Sequence, residues 1–76
     1  MALIKNLSKI SRNSRVQGEA EATYNIVNQN GKKYIQINTY GSTERAHTNV
    51  VSQTLQFDES VAKVLLGIIK SEYDLL

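Results

Sequence analysis

The chain has 76 residues, a net charge of +2 from nine basic and seven acidic side chains, no cysteine and a single histidine. One small domain, 1–76, is expected, too small to bury more than roughly 60% of its unfolded surface and with neither disulfides nor a Cys/His set for a structural metal. The mild positive charge permits nucleic-acid binding without arguing for it, and no apolar run of spanning length or signal-peptide pattern points to a membrane; a cytoplasmic protein is the expectation.

Residues 1–10 carry Leu3, Ile4, Leu7 and Ile10. Their spacing suits a short helical turn, while 2–7 suits an extended edge segment; an extended or irregular start is favoured. Ser11, Arg12, Asn13, Ser14 and Arg15 make a polar loop with two cations. Residues 19–28 then alternate, with Ala20, Ala22, Tyr24 and Ile26 on one face and Glu21, Thr23, Asn25 and Val27 on the other, the pattern of a half-buried strand. Asn30-Gly31 is the strongest hairpin signal in the chain, because both residues tolerate positive φ. Residues 34–40 form the next strand, with Ile35 and Ile37 on the apolar parity and Tyr34, Gln36, Asn38 and Tyr40 on the opposite one. A polar loop over 42–49 holds Arg45 and the lone His47.

The period of the apolar residues changes at Asp58. Before it, Val51, Leu55 and Phe57 share one parity of a strand over 50–57, with Ser52, Thr54 and Gln56 on the other. Gln53 sits on the apolar parity, which marks an edge or a bulge. After it, Val61, Val64, Leu65, Ile68 and Ile69 recur at helical spacing. Asp58 occupies the N-cap position with Glu59 in the first turn, and the helix runs over about 59–73. The expected fold is α+β: an antiparallel sheet of three to four strands followed by one C-terminal amphipathic helix packed on one face. Ala22, Tyr24, Ile26, Ile35, Ile37, Val51, Leu55 and Phe57 would form the core under the helix. Leu66, Ile69 and Tyr73 read as a contact surface for a second copy, which points to a homodimer.

Catalytic signatures are absent. His47 has no orienting partner that the sequence can place, the serines lack a nucleophile-elbow context, and the glycines are isolated, so neither an enzyme nor a cofactor or metal site is expected. The open sheet face is more suggestive. It combines Tyr34 and Tyr40 with amides and hydroxyls and carries few charges. Aromatic rings on such a face stack bases while cations at its rim hold phosphates. Lys32, Lys33, Arg45, Arg12 and Arg15 are the candidate cations, and Gln36 and Asn38 the candidate base-edge partners. β-propensity alone also selects Tyr, Thr and Gln for an open face.

Taken together, the opening Ile4-Lys5-Asn6-Leu7, the run Asn25-Ile26-Val27-Asn28-Gln29-Asn30-Gly31-Lys32, the strand Gln36-Ile37-Asn38-Thr39-Tyr40 and the junction Ser52-Gln53-Thr54-Leu55-Gln56-Phe57-Asp58-Glu59-Ser60 resemble the single-stranded-DNA-binding family of the transcriptional positive cofactor four, especially its small bacterial members. The resemblance implies a curved antiparallel sheet with one C-terminal helix, dimerisation through that helix, and binding of single-stranded DNA. Asn38 stands where bacterial members carry an arginine, and Gln29 where they carry a tryptophan. The expected function is therefore non-enzymatic binding of single-stranded nucleic acid, DNA before RNA, in transcription regulation or in replication and repair. The alternative is a small protein-interaction module or inhibitor, for example from a phage or mobile element, that meets a protein partner through the same face.

Overall fold

The structure, a computed structural model, describes residues 1–41 and 50–75. Strands β1 (Ala2–Ile4), β2 (Ala22–Gln29), β3 (Lys32–Tyr40) and β4 (Val51–Phe57) precede helix α1 (Glu59–Glu72). The strands form one sheet in the order β1-β4-β3-β2. β2–β3 and β3–β4 are antiparallel. β1 is parallel to β4, with Ala2 opposite Leu55 and Ile4 opposite Phe57. The fold is thus an α+β arrangement with a mostly antiparallel open sheet, and the N-terminal segment supplies its short fourth strand.

The β2–β3 hairpin follows from its turn. Asn30 (φ 53°) and Gly31 (φ 77°) both adopt the left-handed conformation that a two-residue turn requires. The turn fixes the register, so Gln29 faces Lys32, Val27 faces Tyr34, Asn25 faces Gln36 and Thr23 faces Asn38. The Tyr40 amide continues the ladder one step further by donating to the Glu21 carbonyl at 3.0 Å. Between β3 and β4 the register slips: Thr39 lies opposite Gln53 and Tyr40 opposite Val51, which leaves Ser52 as the extra residue of a bulge. The Ser52 hydroxyl donates to the Thr39 carbonyl at 3.2 Å. The bulge corrects the simple alternation of this strand. It removes Val51 from the parity of Leu55 and Phe57 and takes Ser52 out of the open face.

Helix α1 begins as its sequence requires. The Asp58 carboxylate accepts from the Val61 backbone N–H at 3.2 Å and from the Ser60 hydroxyl at 2.7 Å. Those two hydrogen bonds, the Ser60 one first, hold its carboxyl below the usual value of 3.8, and the nearby Lys32 charge adds to the effect. At the other end Asp74 (φ 54°) reverses the chain. The Leu75 N–H reaches the Lys70 carbonyl and the Tyr73 N–H the Ile69 carbonyl, both at 3.0 Å, a Schellman-type closure.

The helix meets the sheet at the end of β4. Phe57 and Val61, 7% and 3% exposed, are the buried apolar residues among those described. The broader core expected under the helix is not assembled within one chain. Tyr24 is 74% exposed, and Ile26, Val51, Leu55, Val64 and Ile68 are exposed as well. Because α1 leaves the sheet directly from β4, it covers that strand's end and not the β2–β3 half. Leu65 and Ile69 are half-buried. Residues 5–21 have no regular secondary structure and are exposed throughout. Within them, Leu7, Ser8 and Lys9 border a shallow groove of about 660 Å³ whose other wall includes Val64, Leu65 and Ile68 of the helix.

Candidate nucleic-acid interface

The face of the sheet opposite Ile35, Ile37 and Phe57 is built by the other parity of the strands. Register places Thr23, Asn25 and Val27 of β2, Tyr34, Gln36, Asn38 and Tyr40 of β3, and Thr54 and Gln56 of β4 side by side on it. Across these three strands their polar side chains form one connected network. Gln56 Nε2 donates to Gln36 Oε1 at 2.7 Å, and Gln36 Nε2 donates to Asn38 Oδ1, also at 2.7 Å. Asn38 Nδ2 then donates to Asn25 Oδ1 at 2.9 Å and to Thr23 Oγ1 at 3.2 Å. The Thr23 and Tyr40 hydroxyls pair at 3.0 Å. No buried polar side-chain atom among the described residues lacks a partner.

This network changes the role expected of Asn38. It is not an open hydrogen-bonding group: it is 8% exposed and sits at the centre of the network. A buried amide needs hydrogen-bond partners, and here Gln36, Asn25 and Thr23 supply them. Asn38 therefore fixes the orientation of its neighbours. Alternation in the sequence already puts Gln56, Asn25 and Thr23 on this face; the register of the Asn-Gly turn is what brings Asn25 and Thr23 beside Asn38.

Tyr34 and Tyr40 are half-buried and flank the amides on one strand. Six residues of extended chain set them about 20 Å apart. Of the expected cations, Lys32 shares their parity at the end of β3, whereas Lys33 pairs with Asn28 and belongs with Ile35 on the opposite face. This corrects the reading of both lysines as one rim. Lys32 and Lys33 both border a groove of about 870 Å³, which Phe57, Asp58 and Glu59 also line. Arg12 and Arg15 are exposed in the irregular segment, and among the described residues no hydrogen bond or salt bridge ties them to this face. Arg45 lies outside the described residues. Glu21, one step beyond Thr23 on the same parity, places a carboxylate at the edge of the face.

On the helix, Leu66 and Tyr73 are 54% and 74% exposed and Ile69 is half-buried. Among the described residues no three His, Cys, Asp or Glu side chains come together as a metal site, and no helix is long and apolar enough to cross a membrane. Comparison of the chain with models of known protein families, with curated proteins and with solved structures finds no match.

Proposed function

We propose that this chain is a non-enzymatic, single-stranded nucleic-acid-binding protein that uses the open sheet face. The observation that carries the reading is the pre-ordered polar network between Tyr34 and Tyr40. The two rings offer stacking surfaces. The amides between them are held in place before any ligand arrives, which lowers the ordering cost of binding. An uncharged interior with Lys32 at its end suits bases on the face and phosphate at the rim. The segment order that resembles the positive cofactor four family supports DNA over RNA and a role in transcription, replication or repair in the cytoplasm. A homodimer formed over the exposed Leu66 and Tyr73 and the half-buried Ile69 completes the proposal, because the helix carries apolar side chains that one chain leaves uncovered.

A protein partner is the second reading. The exposed Tyr24, Ile26 and Leu55 lie on the opposite face, with Ile35 and Ile37, and favour a partner there, since apolar and aromatic side chains anchor protein interfaces. Salt separates the two. Anisotropy of a labelled mixed-sequence oligonucleotide should show saturable binding that falls steeply between low and physiological salt. Replacing Tyr34 or Tyr40 by alanine should each weaken it by about 1–3 kcal/mol. Affinity that survives both substitutions, or no binding at low salt, rules the nucleic-acid face out.

A further inference from the structure

We infer that β2 is a self-pairing edge: a second copy of this chain adds its own β2, antiparallel, and joins two four-stranded sheets into one. Among the described residues, the strand order leaves the outer side of β2 unpaired. The closing pair Gln29–Lys32 and the Tyr40-to-Glu21 hydrogen bond show which backbone groups face β3. Because these alternate along a strand, Thr23, Asn25 and Val27 also face inward, and Ala22, Tyr24, Ile26 and Asn28 present their N–H and C=O groups outward.

Natural proteins blunt such an edge with charge, proline, a bulge or brevity. β2 has none of these devices. Its sequence Ala-Thr-Tyr-Asn-Ile-Val-Asn-Gln holds no charged residue, proline or glycine. Its register with β3 is unbroken over eight residues. The other edge, β1, is three residues long.

The charges flanking β2 select its own copy as occupant. Glu19 and Glu21 precede the strand, and Lys32 and Lys33 follow its turn. Antiparallel pairing about a two-fold axis at Asn25 engages all the outward groups: Tyr24 lies opposite the partner's Ile26, and Ala22 opposite the partner's Asn28. Glu21 then lies opposite the partner's Gln29, on the face of the partner's Lys32 and two strand spacings, about 10 Å, from its backbone. Long side chains cover that distance. Parallel pairing would set the carboxylates side by side. An aromatic residue opposite a β-branched one is a favourable cross-strand pair, and it covers the exposed Tyr24. This edge is distinct from the helix surface and does not depend on what the open face binds. It does make that face continuous across two copies, with their Asn25 side chains adjacent at the seam.

Cysteine cross-linking reads the register, since the chain has no native cysteine. In Asn25→Cys the two thiols face each other across the axis at a non-hydrogen-bonded pair, within the Cα separation that a disulfide accepts. Mild oxidation should convert the protein mainly to a covalent dimer. In Val27→Cys the two sites are offset by four residues, about 13 Å, and no dimer should form. Ile26→Pro deletes an outward N–H and leaves every β2–β3 hydrogen bond in place. It should halve the mass of the assembly in sedimentation equilibrium while circular dichroism still reports a sheet. Cross-linking at neither position, equal cross-linking at both, or an unchanged mass for a folded Ile26→Pro protein would overturn the inference.

Discussion

Asn38 does the work of a core residue on a face that has no apolar core. Its amide links β2 and β3 through Asn25 and Thr23, and Gln36 carries the connection on to Gln56 of β4. Asn38→Ala removes three hydrogen bonds at a site with little access to water. It should cost about 1–3 kcal/mol in urea denaturation; a variant as stable as the native chain would show that the network contributes nothing. Asp58 makes a pH-dependent contribution of known sign. Its folded-state pKa lies below 3.8 because Ser60 and Val61 donate to the carboxylate. The stabilisation is therefore fully present above that value and is lost as pH falls through the lower folded value. Asp58→Ala should lower the melting temperature at neutral pH, and the gap from the native chain should close in strong acid. A gap that stays constant with pH would contradict the cap.

At the scale of elements, the sequence is most legible where local chemistry acts alone. Asn30-Gly31 determines the hairpin, and counting outward from it yields the whole β2–β3 register. Asp58 and the apolar spacing after it determine the helix and both its ends to within a residue. Gly31 tests the first of these. Its φ is positive, and a Cβ there would meet nothing within 4 Å, so Gly31→Ala should be penalised through the backbone alone. A loss of about 1–2 kcal/mol is expected, and an unchanged stability would mean that the turn has another geometry. Legibility fails where two elements distant in sequence must meet. The Gln53 parity error signals a bulge, but only the pairing with Thr39 and Tyr40 reveals that Ser52 is the inserted residue. The parallel docking of Ala2–Ile4 on β4 is likewise a long-range choice that three apolar-leaning residues do not announce.

The whole molecule exposes more surface than a folded monomer of its mass should. Its accessible area is 7015 Å², against about 4,700 Å² from the scaling of compact chains of this size. Its radius of gyration is 14.6 Å, against about 11 Å by the corresponding rule. Apart from Val51, which the bulge turns away, sequence periodicity groups the strand residues of the apolar face, but it cannot say whether the helix or another copy covers them. If association covers them, the melting temperature should rise with protein concentration; independence over a hundred-fold range would contradict it. The same consideration qualifies Leu65 and Ile69: half-buried in one chain, they carry the full cost of truncation only in an assembly that buries them.

NMR titration of the labelled protein with a short single-stranded DNA oligonucleotide shows whether the open sheet face meets nucleic acid. The largest shifts are expected on the rings of Tyr34 and Tyr40, the side-chain amides of Gln56, Gln36 and Asn25, and the Lys32 backbone. Shifts confined to Ile35, Phe57 and the helix, or none at saturating oligonucleotide, would contradict binding on that face.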